Sequence, residues 1–127
     1  LANLKYYDEV LDNRKKKYFI YQELLSGLKL VQFQVLTFGE SHYSYFPIIF
    51  KTEEIVLRVL ESLSRLGIFP RRYFYPSVNT YRKIVEYQEM PISEDVSSRI
   101  LCLPLYNNLT FDQQETITDI IIKTIKN

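Results

Sequence analysis

Apolar or aromatic residues recur at Leu1, Leu4, Tyr7, Leu11, Tyr18, Tyr21, Leu25 and Leu28, in steps of three and four with Arg14 filling the one gap. That spacing is one face of a helix and predicts a first helix already in phase at residue 1. No Ser, Thr or Asp cap precedes it and Asn3 falls inside the pattern, so the sequence reads as starting partway along a helix. After Gly27 the pattern shifts to extended segments over Leu28 to Val31, Gln34 to Phe38 and Tyr43 to Phe50, where aromatic and β-branched residues concentrate. Pro47 lies inside the last of these. Because proline offers no N–H to a ladder, it predicts an edge or bulged strand there.

Thr52 followed by Glu53 and Glu54 is a helix cap with carboxylates in the first turn, where the helix dipole favours them. Ile55, Val56, Val59, Leu60, Leu63 and Leu66 form the apolar face of the helix that follows, and Gly67 ends it. Residues 68 to 90 are irregular, with a short strand expected near Arg72 to Phe74. Pro91 opens a short helix through Ser98, and Ile100 to Leu105 reads as a buried strand because its apolar run does not alternate. Thr110 with Gln113 makes a capping box for a last helix carried by Phe111, Ile117, Ile120, Ile121 and Ile125. The order predicts an α+β fold, a small antiparallel sheet with helices on one face.

At 127 residues the chain is long enough for one domain with a real core. Sixteen basic residues against fifteen acidic leave a net charge of +1, so no global field points to nucleic acid or an anionic membrane surface, and anion recognition has to be local. The lone Cys102 excludes an intrachain disulfide and fits a reducing compartment. No apolar run approaches a membrane span, and a cytoplasmic location is expected.

Most chemical candidates reduce to structure. His42 is the only histidine and has no second ligand at metal spacing. Cys102 sits in an apolar strand without a basic neighbour and reads as core. The run Arg14-Lys15-Lys16-Lys17 spreads around its helix as a solvated surface, and Tyr7, Tyr18 and Tyr21 fall on the predicted buried stripe. No glycine-rich phosphate loop is present among three glycines. No catalytic or metal-binding residue is therefore assigned.

The stretch FPRRYFYPS, Phe69 to Ser77, is different. Arginine suits bidentate recognition of phosphate or carboxylate, and Pro70 and Pro76 would hold the backbone between them extended. In an extended segment Tyr73 and Tyr75 point the same way and offer a flat face and hydroxyls to a ring. The competing reading, an edge whose arginines make surface ion pairs, is equally open on these residues alone. Nucleic-acid binding is disfavoured, since nothing else in the chain supplies the several phosphate contacts it needs.

Four stretches, LANLKYYDEVLDNRKK, YSYFPIIF, LGIFPRRYFYPS and MPISEDVSSRILCLPLYNNLT, occur in the order and spacing of the C-terminal part of nucleotide-sugar aminotransferases of the DegT type, which depend on pyridoxal phosphate. Most specific is the last, where Pro91, Glu94, Ser97 or Ser98, Leu101, Leu103, Pro104 and Leu109 match a proline-acid helix running into a Leu-x-Leu-Pro strand. The resemblance covers nearly the whole chain. It implies the small C-terminal domain of a fold-type I enzyme across residues 1–127, beginning within the interdomain helix, while the Schiff-base lysine and most cofactor ligands belong to a large domain absent here.

The resemblance further implies that the parent passes an amino group from glutamate, through pyridoxal phosphate, to a keto group of a nucleotide-linked sugar, and works as a homodimer. No cofactor is expected on this chain alone. It places Arg71, Arg72, Tyr73 and Tyr75 near the mouth of the active site as substrate-binding residues. Many relatives carry a His-Tyr pair before the proline and a histidine after it. Here Tyr73-Phe74-Tyr75-Pro76 and Val78-Asn79 stand instead, which is similar to the subgroup acting on dTDP-linked keto sugars. A freestanding α+β interaction module binding an acidic partner is the alternative.

Overall fold

A computed structural model of the chain describes residues 5–126. The expected helical phase at Leu1 and Leu4 lies outside them. The elements are helix α1 (Tyr7–Leu24), strands β1 (Val31–Phe33) and β2 (Phe46–Phe50), helix α2 (Glu53–Ser64), helix α3 (Pro91–Arg99), strand β3 (Ile100–Leu103) and helix α4 (Phe111–Lys126). The strands form one antiparallel sheet in the order β1-β2-β3.

One face of the sheet makes the core. Alternation along β2 buries Phe46, Ile48 and Phe50, and β3 adds Leu101 and Leu103. Tyr21 and Leu25 from the α1 end, Ile55, Val56, Val59 and Leu63 from α2, and Ile117, Ile121 and Ile125 from α4 close over them. The expected α+β architecture is what the chain adopts. The anticipated caps hold as well: Thr52 Oγ1 accepts the Ile55 N–H at 3.4 Å, and Thr110 and Gln113 exchange backbone-to-side-chain bonds at 3.0 and 3.2 Å. Gly67, at φ +73°, ends α2 while the Ile68 N–H reaches back to the Leu63 carbonyl at 3.1 Å.

Several boundaries differ from the sequence reading. Helix α1 stops at Leu24 instead of running to Leu28, because Gly27 takes φ +81° and the Leu28 N–H turns back to the Leu25 carbonyl. Strand β1 consequently starts at Val31, three residues late. Residues 34–38 pair with nothing, and Val35 and Phe38 are 80% and 89% exposed. On α1, Tyr7 is exposed and Tyr18 half-buried, so only the C-terminal part of the stripe is core. Leu66 and Phe111 are likewise exposed.

Pro47 is the instructive correction: β2 is the central strand, not an edge. In an antiparallel ladder a residue's N–H and C=O point to the same side. Cys102, opposite Pro47, spends both on Arg71, accepting its N–H at 3.1 Å and donating to its carbonyl at 2.8 Å. Pro47 therefore faces β3 as a pair without hydrogen bonds. Its missing N–H would point toward β1, whose pairing ends at Phe33 opposite Ile48, one residue before proline would break it. The sheet continues beyond β3 through this single Arg71 bridge, and no strand forms over Arg72 to Phe74. β3 itself stops at Leu103, since Pro104 cannot donate.

Candidate functional site

The Phe69–Ser77 loop leaves α2 at Gly67, pins itself to β3 through the Arg71–Cys102 bridge, and then turns instead of extending. The Tyr75 N–H donates to the Arg72 carbonyl at 3.1 Å, and the Tyr73–Phe74 and Tyr75–Pro76 peptide bonds are cis. The Tyr73 ring meets Tyr45 and Arg71 while the Tyr75 ring meets Arg72, so the two do not share one face as an extended segment would have required. The four singled-out residues separate into two pairs.

Arg71 turns outward beside the half-buried ring of Tyr73. The Arg71 side chain is exposed, with its guanidinium carbon 5.8 Å from the centre of the Tyr73 ring. Both line a cleft of about 260 Å³ whose floor includes Cys102 and Leu103, and Tyr45 meets the Tyr73 ring edge-on at 5.4 Å. Tyr73 also borders a larger cleft of about 550 Å³ between the 73–90 segment and α3.

Arg72 turns inward and carries on its face the Tyr75 ring, itself 44% exposed. Arg72 Nη2 donates to Glu53 Oε1 and to the Ser98 carbonyl, each at 2.7 Å, and its guanidinium carbon lies over the Tyr75 ring, 3.4 Å from its centre. One planar cation thus joins the first turn of α2, the end of α3 and the loop. Only 14% of the Arg72 side chain is exposed. The Arg72 guanidinium holds the Glu53 carboxyl below its ordinary range, with the nearby Tyr75 hydroxyl acting in the same direction.

A second carboxylate fixes the far side of the segment. Glu94 Oε1 accepts from the Met90 N–H at 3.1 Å, from Asn79 Nδ2 and from the Tyr87 hydroxyl. The Met90 N–H first, and then the Asn79 amide, hold the Glu94 carboxyl below its usual value. Ser77 and Ser93 hydroxyls meet at 3.0 Å across the same junction.

The remaining candidates behave as structure. His42 is exposed and its Nδ1 accepts the Ser44 N–H at 3.2 Å. Cys102 is 7% exposed and burial pushes its thiol pKa up. Among the described residues no group of three or more His, Cys, Asp or Glu could hold a metal ion. The basic run is only partly solvated: Arg14 reaches Ser44 Oγ at 3.4 Å, and the Lys17 ammonium donates to Asn13 Oδ1 and the Asn107 carbonyl. Every other described lysine is exposed. Lys17 is thus tied to neighbours and the rest lie open to solvent, so these lysines do not fit a seat for pyridoxal phosphate.

Sequence reasoning missed Glu53, whose first-turn position explained it as a dipole partner, and the Ser98 carbonyl. They lie 19 and 26 residues from Arg72, and no helix or strand period links such positions.

The model of the DegT/DnrJ/EryC1/StrS aminotransferase family matches residues 1–122. A dTDP-4-amino-4,6-dideoxy-D-glucose transaminase of Escherichia coli is 30% identical, over 96% of this chain and 35% of that protein. The solved aminotransferase TlmJ of Streptoalloteichus hindustanus superimposes with a TM-score of 0.88 at 16% identity, over 98% of this chain and 34% of its own. Helicobacter pylori PseC, an aminotransferase of pseudoaminic acid biosynthesis, gives 0.84 at 20% identity, over 99% and 35%. The chain thus spans about a third of the length of the relatives it matches. With the match running from the first helix into the last, the chain belongs to the DegT/DnrJ/EryC1/StrS aminotransferase family.

Proposed function

We propose that residues 1–127 are the small C-terminal domain of a pyridoxal-phosphate-dependent aminotransferase that moves the amino group of glutamate onto the keto group of a dTDP-linked sugar. The observation that carries this reading is the 30% identity, over 96% of this chain, to a transaminase named for a dTDP-4-amino sugar. The cofactor and its lysine belong to the large domain of the longer enzyme, a homodimer acting in the cytoplasm. The described residues contain no helix long and apolar enough to cross a membrane.

In this reading the Phe69–Ser77 loop faces the sugar nucleotide. Arg71 supplies an exposed fork suited to a diphosphate and Tyr73 a flat face beside it, over one cleft. Arg72, turned inward, and the Tyr75 ring on its face complete the same binding loop. The domain orients the substrate and excludes water while the chemistry proceeds elsewhere.

The test uses the full-length protein with pyridoxal phosphate, glutamate and the 4-keto counterpart of the relative's sugar. An amino sugar by mass spectrometry, formed with one equivalent of 2-oxoglutarate, is expected. No transfer to any dTDP-linked keto sugar, from a protein that still absorbs as a cofactor complex, would refute the substrate class. A reading frame without a cofactor-binding lysine upstream of Leu1 would favour the interaction module.

A further inference from the structure

Glu53 stands at the first turn of α2, where a carboxylate is explained by the helix dipole alone. The structure gives it a second task. Its Oε1 is the only carboxylate oxygen, among the described residues, in an ion pair with Arg72, and Arg72 carries the turn of the loop. The same Nη2 that meets Glu53 meets the Ser98 carbonyl, and the guanidinium plane is the platform for Tyr75. The plane is therefore held on one edge by α2 and α3 while the loop stacks on its face. Glu54, the adjacent carboxylate, is exposed and makes none of these contacts.

Arg71 and Tyr73 flank Arg72 by one residue on either side, so the torsions that seat Arg72 also set where their side chains stand. A guanidinium released from Glu53 keeps the Ser98 carbonyl but gains freedom to rotate about that single bond, and Tyr75 loses its platform. Arg72 Nε is already buried without a partner, so no spare contact in this pocket replaces Glu53. Lysine at position 72 would keep the charge and lose the plane.

We propose that Glu53 is a positioning residue for the Phe69–Ser77 loop, acting through the Arg72 guanidinium to preset Arg71 and Tyr73 for the substrate. This rests on the reading that the loop faces the sugar nucleotide. Glu53 touches neither substrate nor cofactor. Its loss changes how often the loop is in its binding shape, which weakens apparent affinity by the populated fraction and leaves the other half-reaction alone.

Two measurements on the variants E53A, E53Q and E54Q test it. On this chain, amide exchange at Tyr75, whose N–H bonds the Arg72 carbonyl, should accelerate on the order of tenfold in E53A. It should accelerate less in E53Q, whose amide oxygen still accepts the guanidinium bond, and not in E54Q. In the full-length enzyme, the KM for the sugar nucleotide should rise roughly tenfold in E53A, recover in part in E53Q, and leave kcat and the glutamate half-reaction near wild type. Unchanged exchange at Tyr75 in E53A overturns the proposal. Faster exchange with an unchanged sugar-nucleotide KM overturns it too, and the R71A variant then separates the causes. If R71A raises that KM, the loop does face substrate and only the Glu53 role falls; if R71A leaves it untouched, the reading of the loop falls as well.

Discussion

Arg71 and Arg72 are neighbours in sequence, yet the structure predicts opposite consequences for their removal. Arg71 uses its backbone for the Cys102 bridge, which alanine preserves, and its side chain is exposed. R71A should therefore leave stability within about 0.5 kcal/mol of wild type. R72A removes a charge-assisted bond to the Ser98 carbonyl, about 1.5–3 kcal/mol, and a stack on Tyr75 worth about 1 kcal/mol. Against this, truncation also removes the buried, unpartnered Nε–H, which returns about 1 kcal/mol or more. The bond to Glu53, whose side chain is 38% exposed, adds little to global unfolding, although it governs the local opening of the loop.

A net loss of about 2 kcal/mol follows, and a domain of this size shifts its Tm by roughly 3–5 °C per kcal/mol, so R72A should melt about 6–10 °C lower. R72K should recover less than half, because an ammonium on a flexible stem has no plane to lay on the Tyr75 ring while it bonds the Ser98 carbonyl. Urea denaturation followed by circular dichroism, with thermal melts alongside, measures all three variants on this chain. R71A and R72A equal within 0.5 kcal/mol, or R72K indistinguishable from wild type, would refute the inward-outward division of the loop.

Three further outcomes are expected. Because the folded Glu94 carboxyl lies below its ordinary value near 4.5, its contribution is complete above that value and is lost as pH falls through the folded one; E94Q should flatten the loss of melting temperature between pH 5 and 3, and parallel curves would contradict the cause given. Burial makes the Cys102 thiolate scarce, so a disulfide reagent at pH 7.5 should label the folded chain at least about 100-fold more slowly than the chain in denaturant, and equal rates would deny the burial. Y21F removes only the hydroxyl bond to the Pro104 carbonyl, 3.1 Å long, and should cost about 1 kcal/mol, whereas Y21L also removes the ring packed 5.0 Å from Phe46 and should cost about 2–4 kcal/mol in urea titration.

The apolar periods of the chain were enough to place α2 and α4 and to name most of the core, and Pro91 at a first helical position marked α3, because helix starts and 3.6-residue spacing are local signals. Ile55, Val56, Val59, Leu63, Ile117, Ile121 and Ile125 are buried as their spacing implied. The four family stretches were legible for the same reason, being contiguous in sequence, and they led to the family directly. Strand position was not legible. Whether Pro47 sits at an edge depends on which neighbour needs its N–H, and that is settled by Cys102 turning its backbone toward Arg71 and by β1 ending at Phe33. The candidate loop shows the same limit more sharply. Its composition announced recognition chemistry, but the division of Arg71 and Tyr73 from Arg72 and Tyr75 required Glu53, Ser98 and Tyr75 to converge on one guanidinium from three separate elements. Local patterns report what each segment prefers; which polar group meets which across the fold is decided only when the helices and strands have packed.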